Sequence, residues 1–262
     1  MAGNQQVLCE FKGTLIEFGI WDWLKTKGKS KIPNPKSEIP KDMPDLDFQI
    51  ESVEAVPFAV APLLNFKLQI RSANAEELIQ TVALRCQIQI EPTRRRYDEQ
   101  EKERLLDLFG EPERWSKTLK AMLWTHASCV VSPFQNTTTV DLPVTCTFDF
   151  NVAATKYFAG LADGEIPLLF LFSGTMFYES EEGTTQIAQI SWEKETKFRL
   201  PVAVWQKMMD SYYPNTAWLC LQRDIFERLQ KYKMKNGIPT WEQSLEKLLA
   251  VEETKVKKLA AD

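Results

Sequence analysis

Three consecutive arginines, Arg94, Arg95 and Arg96, form the most unusual chemical group in this sequence. They precede a predicted helix N-terminus, where the helix dipole disfavours positive charge, so an anion is expected to neutralise them. The acidic residues at 98–103 can do this within the chain, and exposed pairs of that kind contribute only about 0–1 kcal/mol each. Alternatively, the arginines and Tyr97 contact an external phosphate, carboxylate or acidic protein surface, which arginine recognises through its forked donors.

Histidine chemistry rests on one residue, because His126 is the only histidine in the chain. A strand pattern over residues 123–131 places His126 on the same face as Trp124 and on the opposite face from Cys129. A cysteine–histidine dyad is therefore geometrically poor. Since imidazole is often partly buried and hydrogen-bonded, the sequence predicts a structural role for His126.

Cysteines and paired carboxylates are the remaining candidates. Cys86 and Cys146 take inward positions on predicted strands, but free buried cysteine behaves as a small apolar residue and the spacing gives no four-ligand metal set. Glu-Pro-Glu at 111–113 and Asp-Gly-Glu at 163–165 offer carboxylates for acid–base work, yet both motifs equally suit a helix start or a turn. The sequence therefore predicts no catalytic residue, no bound metal and no cofactor.

The composition is that of a soluble globular protein. Of 262 residues, 44% are hydrophobic and 26% are charged, and the net charge of −4 gives no general attraction for nucleic acid or an acidic membrane. Five scattered cysteines without a preceding signal peptide predict a cytoplasmic location. The longest dense apolar run, residues 166–172, is too short to cross a bilayer. Neither a nucleic-acid partner nor a membrane span is expected.

The N-terminal part differs in composition from the rest of the chain. Residues 25–44 contain six lysines and four prolines, which predicts a solvated linker. Residues 1–24 form an aromatic segment before it. The candidate docking side chains of that segment are Phe11, Leu15, Phe18, Trp21 and Trp23. Two interpretations remain open: the segment folds back over a sheet edge or apolar groove of its own domain, or it is a docking peptide on a basic tether.

An apolar period of two follows the linker. Apolar and polar residues alternate over 64–70, 82–90 and 140–150, which indicates strands with one solvated face. Such strands are typical of antiparallel sheets, so two packed sheets are expected rather than a parallel α/β core. Residues 168–172 are apolar at every position, and therefore on both faces of a strand, which predicts a strand covered from both sides.

Helical signals interrupt and then follow the strands. Asp98 and Gly110 suit the N-terminal cap and the C-terminal stop of one inserted helix, and a second short helix is expected over 115–122. From Pro201 the apolar period returns to 3.6, and Thr240 opens a capping box before the last helix.

The expected fold class is α+β. An antiparallel β-sandwich-like core is predicted at residues 45–200, with inserted short helices. A C-terminal helical unit at residues 201–250 is predicted to pack on the sandwich, and residues 251–262 are predicted to fray.

Four motifs carry a resemblance to a known family. They are Cys-Gln-Ile-Gln-Ile-Glu-Pro at 86–92 with the arginine run, Leu-Phe-Gly-Glu-Pro-Glu-Arg-Trp at 108–115, Asp-Gly-Glu-Ile-Pro-Leu at 163–168 and Leu-Pro-Val-Ala-Val-Trp at 200–205. Over residues 47–249 the chain resembles a bacterial domain-of-unknown-function family. The resemblance implies a gene neighbourhood that sometimes includes accessory genes of nickel–iron hydrogenases. It implies no catalytic residues, because none are established for that family.

Three functional hypotheses follow. The first is a non-catalytic accessory or assembly protein that binds a protein partner, including one related to a hydrogenase. The second is an enzyme or small-ligand-binding protein that uses an arginine-lined anion pocket. The third is a structural subunit of a larger assembly, which would self-associate through an exposed sheet edge.

Overall fold

A computed structural model describes residues 44–147, 152–180, 182–216, 219 and 221–259, with side chains as far as residue 253. The chain divides into two units, Met1–Lys41 and Asp42–Asp262, and every element named below belongs to the second unit.

The strands follow the period of two that the sequence shows. In chain order they are β1 Leu46–Ala55, β2 Leu63–Ser72, β3 Leu78–Ile90, β4 Met122–Val131, β5 Phe134–Gln135, β6 Thr137–Thr145, β7 Glu165–Glu179, β8 Thr185–Gln189 and β9 Glu195–Pro201. One sheet has the order β1-β2-β6 and the other has the order β4-β3-β7-β8, with β5 paired to β3 and β9 paired to β7. Every one of these strand pairs is antiparallel.

The core lies between the inner faces of the two sheets. Phe48 of β1 stacks on Phe172 of β7 with ring centroids 4.4 Å apart, and Phe66 of β2 meets Phe170 of β7 edge to face at 5.2 Å. All four rings are buried, so the sheets are joined by aromatic contacts and apolar burial. The sandwich-like arrangement predicted from the sequence is confirmed.

Strand β7 differs from the others because its outward positions are also apolar. Leu168, Phe170 and Phe172 are buried on the inner face, whereas Leu169 and Leu171 on the outer face are half-buried. The second sheet therefore covers the inner side of this strand, whereas its outer side is covered only in part.

A β-bulge at Trp124 separates the side chains of Trp124 and His126, which were predicted to share a face. Ile88 pairs with Thr125 and Gln89 pairs with Leu123, so Trp124 is the extra residue in β4. Because a bulge shifts the alternation by one residue, Trp124 turns into the core while His126 is exposed on the opposite, outer face. The expectation that these two side chains share a face was wrong.

Helices occur at the predicted capping signals around Asp98, Pro201 and Thr240, and a further helix, at residues 152–160, lies where no helix was expected. They are α1 Glu99–Arg104, α2 Leu106–Phe109, α3 Trp115–Thr118, α4 Val152–Gly160, α5 Val202–Tyr212, α6 Arg223–Lys235 and α7 Trp241–Leu259. The Asp98 carboxylate accepts a hydrogen bond from the Glu101 amide at 2.7 Å, and Gly110 ends α2 with a φ of 72°. Thr240 caps α7 by accepting from the Gln243 amide at 3.2 Å.

The helices extend the sandwich in two ways. α4 contacts α2 and β4, and α5 contacts α4, β1 and β9, so these helices join the main core. Val202, Trp205 and Met209 form the buried stripe of α5 that the 3.6 period predicts. The fold is therefore α+β, with antiparallel sheets and both inserted and C-terminal helices. None of the described helices is both long enough and apolar enough to span a membrane.

Candidate functional site

The arginine run is the first candidate, and the structure gives its members different roles. Arg95 is a buried structural residue: its Nη1 donates to the carbonyl oxygens of Asp163 at 2.8 Å and Glu165 at 3.0 Å. Its Nη2 forms an ion pair with Glu101. Because the side chain of Arg95 is only 7% exposed, these internal acceptors leave it no access to an external anion.

Glu101 completes this buried pair from α1. Its Oε1 also accepts a hydrogen bond from the Ala162 amide at 2.9 Å, and its side chain is 2% exposed. The Asp98 cap fixes the first turn of α1 and so holds Glu101 toward Arg95. The arrangement ties the segment before α1 to the turn that precedes β7.

Arg94 and Arg96 lie closer to solvent. Arg94 Nε pairs with the Glu91 carboxylate at 2.8 Å, and about half of the Arg94 side chain is exposed. Arg96 is exposed and makes no ion pair with the residues that the structure describes. The three neighbouring arginines are thus split between one buried ion pair, one surface pair and one solvated side chain.

The two described cavities lie away from the arginines. One is lined by Trp124, Cys146, Phe158 and Trp205 among others, and the second lies beside Lys194. Their volumes are about 10 and 20 Å³, and a cavity of about 10–15 Å³ holds a single water molecule. Neither offers room for an organic substrate.

Tyr97 contacts Arg95, and its hydroxyl forms two hydrogen bonds within the protein. Its hydroxyl donates to the Pro92 carbonyl at 2.7 Å and therefore accepts from the Tyr157 hydroxyl at 2.8 Å. The Arg95 guanidinium lies 5.6 Å from the Tyr97 ring centroid, a cation–π contact. Burial raises the pKa of Tyr97, and the neighbouring Tyr157 raises it further. Burial likewise raises the pKa of Tyr157 to about 12.

In the part of the chain that the structure describes, burial keeps the cysteine thiols protonated, and the imidazole lies at the surface. Burial raises the pKa of Cys86 and Cys129, and it raises the pKa of Cys146 to about 12. A thiol with a raised pKa holds its proton and is a poor nucleophile at neutral pH. His126 lies exposed on the outer face of β4. Within the described ranges, no group of three or more histidine, cysteine, aspartate or glutamate side chains could hold a metal ion.

The predicted docking side chains of the N-terminal segment lie outside the described residues. This holds for Phe11, Leu15, Phe18, Trp21 and Trp23, and for residues 25–43 of the predicted linker.

A second candidate surface is the helical hairpin that α6 and α7 form. The two helices contact each other, and the Phe226 and Trp241 rings meet at a centroid distance of 5.3 Å. Lys233 Nζ lies 5.4 Å from the Trp241 ring centroid. Ile238, in the connection between the helices, is buried but does not belong to the main core. The hairpin therefore has its own small apolar cluster.

The hairpin leaves an unusual amount of apolar surface exposed. No described residue of α6 is buried. The exposed apolar side chains are Ile225, Phe226, Met234, Trp241, Leu245, Leu248, Leu249 and Val251. Trp241, Leu245 and Leu248 follow the 3.6 period, so they share one face of α7. Two helices alone do not cover such a stripe, and a clustered apolar surface of this kind marks an interaction site. We call residues 223–253 the hairpin surface.

Sequence reasoning found both helices but missed this surface. The helical unit at residues 201–250 is predicted from sequence to pack on the sandwich, because an apolar helix face normally indicates burial. The missed signal is the lysine and arginine content of α6, where five basic residues accompany two acidic ones. Because its apolar side chains stand among many charged ones, none of the described residues of α6 is buried, and α7 stays half-covered.

Fold and surface together define the class: an α+β protein with antiparallel, sandwich-like sheets and a C-terminal helical hairpin. The chain belongs to the Family of unknown function (DUF6084), whose family model matches residues 43–257. No curated protein matches the sequence.

Two solved structures show a weak similarity. The crystal structure of an ApaA protein from Bordetella pertussis is 12% identical, covers 60% of this chain and 95% of its own, and has a TM-score of 0.20. The X-ray structure of the structural genomics target SoR45 is 12% identical, covers 68% of this chain and 95% of its own, and has a TM-score of 0.21. These scores are too low to support a shared fold or function.

Proposed function

We propose that this protein is a non-catalytic accessory or assembly protein that binds a protein partner through the hairpin surface. The observation that carries the proposal is the exposed apolar stripe on α7, where Leu248 is 40% and Leu249 is 64% exposed. Apolar side chains in one row favour association, because the free energy falls when apolar surface is transferred out of water. The stripe has the spacing by which a third helix docks on a helical pair.

The charges of the hairpin indicate the chemistry of the partner. α6 ends in a basic stretch with Lys231, Lys233 and Lys235. Of these, Lys233 lies beside the apolar row that includes Leu229 and Tyr232, whereas Lys231 and Lys235 lie on the far side of the helix. An amphipathic helix with acidic residues beside its apolar face would match both features. The resemblance implies a gene neighbourhood that sometimes includes accessory genes of nickel–iron hydrogenases, so a protein of nickel–iron hydrogenase assembly is the first partner to test.

The geometry of the arginine run gives less support to the enzyme hypothesis. Arg95 and Tyr97, two of its proposed ligand contacts, already have internal partners. An anion pocket would then rest on Arg94 and Arg96 alone, at an open surface. Surface contacts of that kind bind weakly in water.

The test is affinity purification of the tagged full-length chain from its native host, followed by quantitative mass spectrometry. A variant with Leu245→Lys and Leu248→Lys places two charges in the apolar stripe. We expect one stoichiometric partner with the wild-type chain and at least about tenfold less of it with the variant, which corresponds to a loss of about 1.4 kcal/mol or more.

Two controls make the result specific. Val130→Lys changes an exposed apolar residue on β4 and should retain the partner. A chain without residues 1–44 tests the aromatic segment separately. Equal recovery of the partner with the wild-type chain and the hairpin variant would contradict the proposal, as would a loss that occurs only in the truncated chain.

A further inference from the structure

Within the described residues, strand β8 lies at an edge of the larger sheet and carries neither a charged residue nor a proline. Among the described strands it pairs only with β7. Its sequence, Thr-Gln-Ile-Ala-Gln, has no charged residue and no proline. Natural proteins normally protect edge strands with lysine, proline or a bulge, because an open edge pairs with other strands. An unprotected edge therefore indicates a pairing surface.

The hydrogen bonds that flank β8 show which backbone groups are free. Ile190 donates to the Gly174 carbonyl and Ser180 donates to the Thr184 carbonyl, each at 2.9 Å. Since antiparallel strands alternate their bonding direction, Thr184 and every second residue after it face β7. The amide and carbonyl groups of Thr185, Ile187 and Gln189 consequently point away from β7, toward the open edge.

We propose that this edge pairs with the same edge of a second copy of the chain. In an antiparallel arrangement centred on Ile187, each Ile187 lies opposite the other, and Thr185 of one copy lies opposite Gln189 of the second. All three outward-pointing residues of one strand then exchange backbone hydrogen bonds with those of the other. The pairing is two-fold symmetric, as interfaces between identical chains usually are.

The side chains favour a second copy over an unrelated peptide. Ile187 is 63% exposed and lies directly across from Phe177 on β7. On pairing, the two Ile187 side chains meet, and an apolar row runs from Phe177 through both isoleucines to the second Phe177. Because β8 is uncharged, no like charges oppose each other when two copies meet. This inference concerns a surface distinct from the hairpin and does not depend on the proposed function.

Sedimentation of the full chain tests the association. An edge of this size buries less than the roughly 800 Å² per partner of a typical stable interface, so a weak dimer is expected, with a concentration-dependent mass between about 1 and 500 µM. At the upper end the mass should approach twice 30.2 kDa. Ile187→Lys should keep the protein monomeric throughout, because two lysines would then face each other. Val130→Lys, an equally exposed change on β4, should dimerise as the wild type does.

Cysteine pairing tests the register. Opposed Ile187 residues would have Cα atoms about 5.5 Å apart, within the range of a disulfide, whereas two Thr185 residues would be displaced by about 14 Å. Under mild oxidation Ile187→Cys should give a covalent dimer and Thr185→Cys should not exceed the wild-type background. The double variant Thr185→Cys/Gln189→Cys should cross-link again. A wild-type chain that stays monomeric, a dimer unaffected by Ile187→Lys, or equal cross-linking at positions 185 and 187 would overturn the inference.

Discussion

The guanidinium of Arg95 forms a buried ion pair with the carboxylate of Glu101, six residues further along the chain. The same guanidinium donates to two backbone carbonyls, and the same carboxylate accepts a backbone amide. Burying both charges is costly, but these added hydrogen bonds satisfy most of their polar atoms. The most conspicuous charged motif of the sequence is therefore a brace between α1 and the turn before β7.

Removing one partner of this pair should strongly destabilise the fold. Glu101→Gln leaves the Arg95 charge buried without a counter-charge, and breaking buried pairs in this way costs about 3–5 kcal/mol. Equilibrium unfolding in urea should therefore show a lower midpoint with an unchanged slope.

The neighbouring surface pair provides the matched control for Glu101→Gln. Arg94→Ala removes an ion pair whose arginine is half exposed, and it should change the free energy of unfolding by only about 0–1 kcal/mol. Similar losses in the two variants would show that the Arg95–Glu101 pair is not the brace described above.

Alkaline pH should destabilise the protein because the buried tyrosine hydroxyls and cysteine thiols keep their protons in the folded state. Burial raises the pKa of Tyr97, Tyr157, Cys86 and Cys146. The unfolded chain loses these protons from about pH 8.5 for cysteine and about pH 10 for tyrosine, whereas the folded chain keeps them. Since the unfolded state then binds fewer protons, stability is full below those values and falls as the pH rises. Each such group lowers the free energy of unfolding by about 1.4 kcal/mol per pH unit, measurable by urea unfolding between about pH 8 and 11.

Tyr157→Phe should make that pH dependence shallower. The variant removes one group whose pKa is raised by burial to about 12. Between about pH 10 and 12, the slope of the free energy of unfolding against pH should therefore be smaller by the contribution of one proton. At neutral pH the lost hydrogen bond to Tyr97 should cost only about 0.5–1.5 kcal/mol, because Tyr97 keeps its bond to the Pro92 carbonyl. An unchanged pH dependence would contradict the assignment of this group.

Gly174 should be essential at its position in β7. Its φ is 150°, and a Cβ there would lie 2.2 Å from the carbonyl oxygen of Ala83 on the neighbouring strand β3. Gly174→Ala must therefore separate two central strands, and a loss of more than about 3 kcal/mol is expected in thermal or urea unfolding.

Gly110 separates the steric effect from the conformational one. It also has a positive φ, 72°, but a Cβ would meet no atom within 4 Å. With a ψ of −164° its backbone lies in a region that is essentially limited to glycine, so Gly110→Ala should cost about 1–3 kcal/mol of conformational strain without a clash. If both alanine variants lose the same stability, the close approach of β7 to β3 is not what requires Gly174.

Local patterns predicted most of the fold, because alternation and capping depend on near neighbours in sequence. The alternating residues 82–90 lie in β3, and of the alternating residues 140–150 the first six lie in β6, which ends at Thr145. Asp98, Gly110 and Thr240 mark helix ends as expected. The bulge at Trp124 escaped prediction because it depends on how β4 pairs with β3.

The candidate sites depended on long-range contacts, so the sequence predicted them less well. Arg95 meets the carbonyls of Asp163 and Glu165, which lie far from it along the chain, and no local pattern reports such a contact. The exposed stripe with Leu245 and Leu248 has the same period as a buried one. Only the three-dimensional arrangement shows that the hairpin leaves it open.

Site-specific photo-cross-linking tests the central claim, that the hairpin surface binds a partner, most directly. A photoreactive phenylalanine analogue replaces Leu248 in one version of the full chain and Val130 in another, and both are irradiated in living cells of the native host. The account predicts one discrete adduct of constant mass from position 248 and none from position 130. The absence of an adduct at position 248, or the same adducts from both positions, would contradict it.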